Sequence, residues 1–195
     1  MTGISFFQAA FSEHLSTAMA TERALGPAFS ALVDAVLERI RRGGKVLFFG
    51  NGGSAADAQH LATELTARFE IRERPAIAAI ALTCDTSTLT AVANDWSVER
   101  MFSRQVEALG RPGDVAVGIS TSGNSSNVNA ALRTARDSGL LCVGFSGRDG
   151  GAMAALVDHE LRVPATRTTR IQEMHIVLGH VLCQEIEQRL YGDGR

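Results

Sequence analysis

The sequence predicts one α/β domain built on a doubly wound parallel sheet. From residue 45 onward, short apolar runs alternate with segments of helical period: "KVLFF" (45–49), "AIAAIAL" (76–82), "DVAVGIS" (114–120), "LLCVGF" (140–145) and "HELRV" (159–163). Runs that stay apolar, rather than alternating in and out, mark strands covered on both faces, as parallel strands between two helix layers are. The stretches 54–69, 97–109, 125–138 and 169–190 supply the helices between and after them. At 195 residues the chain is long enough for one well-packed core and short for two.

Two helical stripes precede the first strand. Phe6, Phe7, Ala10, Phe11, His14, Leu15 and Met19 form one, and Phe29, Leu32, Val33, Val36, Leu37 and Ile40 the other. Pro27 suits the first turn of a second helix, and "RRGG" at 41–44 gives a basic last turn with glycine stops. The expectation is an N-terminal helical hairpin within residues 1–43 whose wide apolar stripe contacts a partner subunit.

Composition narrows the function. A formal net charge of −2, with no run of five like charges, gives no bulk footprint for nucleic acid. "AIAAIAL" is far shorter than the roughly 20 residues of a membrane span, and "MTGISFFQAAFSEHL" has no basic leader. Cys84, Cys142 and Cys183 are odd in number, widely spaced and in apolar settings, which suits free buried thiols in a reducing cytoplasm.

In a sheet of this kind ligands lie beyond the carboxyl ends of the strands. Polar loops follow three of those ends: "GNGGSA", "CDTST" and "STSGNSSN". The first matches a relaxed G-x-G-x-x-A dinucleotide turn, but no acidic residue closes a strand about 20 positions on, and no Lys-Ser/Thr follows to make a Walker loop. What remains is either a tight turn or a backbone-rich cradle at a helix N-terminus, suited to hydroxyls or anions. The third loop sets Ser120, Thr121, Ser122 and Ser125 around Gly123 before a helix, where hydroxyls, amides and the helix dipole can hold a phosphate without a cation. That favours a small phosphorylated metabolite.

On helix 54–69 the stripe Ala55, Ala58, Leu61, Ala62, Leu65 faces the core, with His60 and Glu64 together beside it. Such a pair is an ordinary i,i+4 ion pair, a metal chelate or a carboxylate base. On the last helix Ile171, Met174, Leu178, Val181, Leu182 and Ile186 read as core. Gln172, Ile176 and His180 share another face, with Gln172 and His180 about 12 Å apart at the backbone.

Together "GNGGSAADAQHLATELTARF", "VAND", "GISTSGNSSNV" and "RIQEMHIVLGH" resemble the sugar isomerase (SIS) domain, and within it the phosphoheptose isomerase family, over essentially the whole chain. The resemblance implies a flavodoxin-like five-stranded sheet and a homotetramer with each site at a subunit interface. It also implies conversion of sedoheptulose 7-phosphate to D-glycero-D-manno-heptose 7-phosphate, the entry to activated heptoses for lipopolysaccharide. By motif, Asn51, Gly52, Gly53 and Ser54 resemble a sugar-contacting turn, and Asn94 and Asp95 a second sugar contact. Ser120, Thr121, Ser122 and Ser125 resemble the phosphate loop, and Arg68 an arginine that reaches a neighbouring subunit's site. Glu64 and His180 match the catalytic pair; His60, Glu64, Gln172 and His180 match residues that bind Zn²⁺ in members that hold it, with Gln172 also at the substrate. A related branch, the DnaA initiator-associating proteins, shares the fold and similar "IQEMH" and "TLTAVANDW" segments but acts by protein binding, without a carboxylate and imidazole matching Glu64 and His180. The presence of both implies the enzyme; initiator binding, or sugar-phosphate sensing without turnover, are the alternatives.

Overall fold

The computed structural model describes residues 3–192; residues 1–2 and 193–195 of the expected domain lie outside them. Strands β1 (Val46–Gly50), β2 (Ala79–Ala81), β3 (Val115–Ile119), β4 (Leu141–Gly147) and β5 (His159–Val163) form one sheet in the order β2-β1-β3-β4-β5. Every neighbouring pair is parallel. This is the flavodoxin-like order, with its switch point between β1 and β3. The helices are α1 (Gly3–Arg41), α2 (Gly53–Thr66), α3 (Thr86–Asp95), α4 (Ser103–Leu109), α5 (Ser126–Asp137) and α6 (Thr168–Tyr191), with 3₁₀ turns at Val98–Arg100 and Gly151–Ala155.

The two-residue period of the strands splits their side chains between two cores. Val46 and Phe48 of β1, with Val115, Val117 and Ile119 of β3, pack under α1, α2 and α6. Their partners there are Leu32, Val36 and Leu37 of α1, Leu61 and Leu65 of α2, and Leu182 and Ile186 of α6. Leu47 and Phe49, with Ala116 and Cys142, pack on the other face against Phe102, Val106, Val128 and Leu132. The inner strands β1, β3 and β4 are buried along their whole length, which is why they read as unbroken apolar runs, while the edge strands β2 and β5 are partly exposed.

Three expectations need correction. The N-terminal hairpin is instead one helix of 39 residues with Pro27 inside it. Proline removes a single N–H, the one that would bond to the carbonyl of residue 23. The row Thr17, Thr21, Leu25, Phe29, Leu32, Val36 continues at helical spacing across it, and its small threonines hid that continuity. Thr17 and Thr21 are buried, their hydroxyls donating to Glu13 O and Thr17 O. The helix expected at 97–109 is the 3₁₀ turn plus α4, and α3 went unread because "TSTLTAVAND" buries only Val92 and so shows no apolar period. Asp85 starts α3, accepting from the Thr88 N–H at 3.0 Å and its hydroxyl at 2.6 Å. Lastly, Cys142 and Cys183 are buried but Cys84, at the mouth of β2, is exposed. Smaller departures are Ala55, only half buried, and Val181, exposed beside Val177.

His175 of α6 is wholly buried beside Phe145, its Nε2–H donating to Ser146 O at 2.9 Å, while its Nδ1 has no partner among the described residues. Burial pushes its pKa down to about 4, against a modest upward pull from the Ser146 carbonyl. Because the unfolded imidazole titrates near 6.5, the unfolded chain binds the extra proton first as pH falls. Stability is therefore full above about pH 6.5 and is lost progressively toward pH 4, by up to about 3 kcal/mol. Urea unfolding across this range should show that slope, and His175→Met should flatten it.

Candidate active site

The site begins where β1 ends. Gly52 takes φ +57°, and Gly53 opens α2 with no room for a side chain: a Cβ there would lie 1.5 Å from Gln172 Nε2. The Gln172 carboxamide of α6 thus rests on the turn that the sequence marks as a cradle. Further along, Leu61 of α2 lies against Gly179, where a Cβ would come 2.6 Å from the leucine methyls. The two helices run side by side in the same direction, and residues 53, 57, 60 and 64 of α2 share the face beside α6.

On that face three expected residues meet. His60 Nε2 lies 2.8 Å from His180 Nε2 and 3.3 Å from Glu64 Oε1. His60 is therefore the middle of the group, linking the carboxylate to the second imidazole. One of the facing nitrogens must carry the hydrogen and the other accept it. The Phe69 ring stands 5.9 Å from the His180 ring and bounds the group on one side. Glu64 is the more shielded member, its side chain 22% exposed against 48% for His60.

A second cluster lies after β3. The Ser120 and Ser125 hydroxyls bond at 2.9 Å, so Ser125, which precedes α5, does not cap that helix with its side chain. Ser122 Oγ accepts the Asn124 N–H at 3.2 Å, and Thr121 flanks it half-buried. This cup of hydroxyls at a helix N-terminus is a ready anion site. The β1 turn is tied to it: Asn51 and Asn127 exchange reciprocal amide bonds, each 2.8 Å.

These two clusters sit at opposite ends of α2. Glu64 lies 11 residues beyond Gly53, about 16 Å along the helix, and the carbonyl after it, Leu65 O, accepts the Ile77 N–H on the approach to β2. Within one chain the hydroxyl cup, tied to the start of α2, and the Glu64 carboxylate near its end are therefore apart.

The SIS domain family matches residues 7–147. A phosphoheptose isomerase of Paramagnetospirillum magneticum is 58% identical over 183 residues, covering 94% of this chain and 95% of that one. The chain belongs to the phosphoheptose isomerase family of SIS-domain proteins. Solved structures agree: a phosphoheptose isomerase from Neisseria gonorrhoeae superposes with a TM-score of 0.91 at 44% identity, over 96% of this chain and all of that one. One from Francisella tularensis gives 0.93 at 38% identity, again over 96% and 100%.

Of the residues that the phosphoheptose isomerase resemblance singles out, His60, Glu64 and His180 come together, and Asn51, Gly52, Gly53, Ser54 and Gln172 form a second group at the β1 turn. Asn94 Nδ2 donates to Asp95 Oδ1 at 2.8 Å at the exposed end of α3. Arg68 is exposed just past α2, its Nη1 at 3.5 Å from Phe69 O. For zinc, two imidazoles and a carboxylate are a fitting donor set in kind. Among the described residues, no three His, Cys, Asp or Glu side chains already stand around a common metal position, and Gln172 lies along α6 from His180 rather than beside it.

Two polar residues around the site, Asp57 on α2 and Asn127 on α5, escaped the sequence reading. Asp57 lies one turn before His60 with Oδ2 buried and unpaired among the described residues, and burial raises its pKa while His60 offsets part of the rise. Its i,i+3 spacing to His60 was the available signal. Asn127, the last residue of "STSGNSSN", bridges the two loops, a pairing that no local spacing reveals.

Proposed function

We propose that the protein interconverts sedoheptulose 7-phosphate and D-glycero-D-manno-heptose 7-phosphate, as an aldose–ketose isomerase supplying activated heptose for lipopolysaccharide and related glycans. The observation that carries this reading is His60 joining Glu64 to His180. An isomerisation through a cis-enediol needs a base at carbon and a proton carrier at oxygen, and this trio offers both. Glu64 takes a proton from C1 and returns it to C2, while His180 moves the hydroxyl proton from O1 to O2. The carbonyl thereby passes from C2 to C1 with no net gain or loss of atoms. The hydroxyl cup of Ser120, Thr121, Ser122 and Ser125 anchors the phosphate and fixes which carbon faces the base. Asn51 to Ser54, Asn94, Asp95 and Gln172 receive the sugar hydroxyls.

His60, Glu64 and His180 would hold Zn²⁺, joined by Gln172 only where its carboxamide leaves the Gly53 turn; when bound, the metal would supply Lewis-acid polarisation of the substrate oxygens.

The separation of the two clusters along α2 supports a shared site, in which one subunit's hydroxyl cup faces another's Glu64 group and Arg68 reaches across. A tetramer also explains the outward row of α1: Phe6, Phe7, Phe11, Leu15 and Met19 are each more than half exposed, and Val177 and Val181 of α6 lie exposed as well. So large an apolar surface marks an interface. Among the described residues no helix is long and apolar enough to cross a membrane. We place the reaction in the cytoplasm, to which the three unpaired cysteines are suited.

The test is one preparation with three readouts. Purified protein should turn over sedoheptulose 7-phosphate in an NMR assay, lose that activity on chelation and regain it with zinc, and scatter light as a tetramer. Binding of the sugar phosphate without turnover would overturn the enzyme reading; activity unchanged in metal-free protein would remove zinc, and an active monomer would remove the shared site.

A further inference from the structure

The Glu64 end of α2 is held by an ion pair to which the chemistry above assigns no part. Arg74 and Glu187 have side chains with no exposure to solvent, and Arg74 Nε donates to Glu187 Oε1 at 2.7 Å. Glu187 stands seven residues beyond His180 on α6, two turns along and on nearly the same face. Its carboxylate is filled: Oε1 also accepts the Phe69 N–H at 2.9 Å, and Oε2 accepts those of Glu70 and Ile71 at 2.7 and 2.8 Å. Arg74 directs its other nitrogens to backbone, Nη1 to Pro75 O at 2.9 Å and Nη2 to Glu64 O at 2.7 Å.

The result is a continuous tether from α6, through two side chains, to the backbone of the proposed base. The Glu64 carbonyl belongs to the last turn of α2, where carbonyls lack partners within the helix and a cation is favoured. The same carboxylate fixes the chain at Phe69, whose ring bounds His180, and so sets the segment that carries Arg68. A buried pair is costly to desolvate, and apolar side chains of similar volume often serve stability equally well. What apolar side chains do not do is fix three loop amides and one helix carbonyl in a single geometry.

We propose that Arg74 and Glu187 are positioning residues for the isomerase reaction, holding the Glu64 backbone and the Arg68–Phe69 segment in register with His180. The proposal rests on Glu64 being the base. A misplacement of about 1 Å at a reacting group can cost on the order of 100-fold in rate, so an effect on kcat is expected from a pair that never touches substrate.

Two variants test it. Arg74→Lys keeps a cation for Glu187, but one ammonium does not reproduce the fork that serves Glu187, Pro75 and Glu64 together. The double variant R74M/E187L removes both charges and so leaves neither one buried and unpaired. In both, kcat per folded chain should fall about 10- to 100-fold with KM within about twofold of wild type, and the isotope effect with C1-deuterated substrate should rise. A purely structural role would lower the folded fraction and leave KM and the isotope effect unchanged. Wild-type kcat in folded variants, a rate loss that only tracks the folded fraction, or failure of both variants to fold would each overturn the proposal. Glu64→Gln measured in parallel separates the two ideas: an active E64Q removes the base itself, whereas an inactive E64Q beside fast Arg74 and Glu187 variants removes only the tether.

Discussion

Glu64→Gln is expected to lower kcat by about 10³-fold while leaving the fold intact, since general acid–base contributions of this kind run from about 10² to 10⁴. Glutamine preserves the volume and still offers an oxygen toward His60, so the contact at 3.3 Å has a neutral counterpart. The backbone bond from Arg74 to Glu64 O does not involve the side chain at all and is retained. What is lost is the ability to accept a carbon-bound proton. Steady-state assays in both directions should therefore fall together, and C1 hydrogens of the ketose should no longer exchange with D₂O. Circular dichroism and the unfolding midpoint should match wild type. Full activity in this variant would end the assignment of Glu64 as base, whatever the family membership of the chain.

The sheet was legible because its inner strands β1, β3 and β4 are covered on both faces and therefore stay largely apolar along their length. Phe48 and Phe49, adjacent in sequence and buried in opposite cores, show this in two residues. α3 was invisible for the opposite reason: a helix that buries only Val92 leaves no stripe to read. α1 misled because a proline with glycine before it usually ends a helix, whereas here packing of Leu25, Leu32 and Val36 carries the helix through. At the site, His60 and Glu64 were readable as an i,i+4 pair on one helix and His180 as a polar position on a face of the last, while its pairing with Glu64 came by resemblance. The Asn51–Asn127 amide exchange and the Arg74–Glu187 tether were not readable. Each joins residues 76 or more positions apart, and their partners are fixed by how α2, α5 and α6 pack rather than by any local pattern. The separation of the hydroxyl cup from Glu64 was hidden too, since both follow strand-end loops in the sequence and only helix length reveals the distance.

Gly123→Ala should be the most damaging small substitution in the hydroxyl cup. Gly123 holds φ +65°, and a Cβ on it would lie 1.9 Å from the carbonyl oxygen of Gly150 and 2.5 Å from its carbon. That neighbour is backbone and has no rotamer to yield. The loop after β4 is moreover laced to the cup, with Met153 N–H on Gly123 O at 2.9 Å and Ala152 N–H on Asn124 Oδ1 at 2.9 Å. Left-handed strain plus displacement of two connected loops should cost on the order of 4 kcal/mol in urea unfolding. Gly43→Ala is the control: its φ is +86°, but nothing lies within 4 Å of its Cβ position, so only the strain of about 1 kcal/mol remains. Kinetics distinguish loop damage from general loss of structure. On the proposed reading the cup anchors the phosphate while the Glu64 group lies at the far end of α2, so folded G123A should show KM raised more than about 10-fold, with a smaller fall in kcat from the lost orientation of the substrate. A fall in kcat at unchanged KM would mean that the cup takes part in the proton transfers, and the division of labour along α2 would then be wrong.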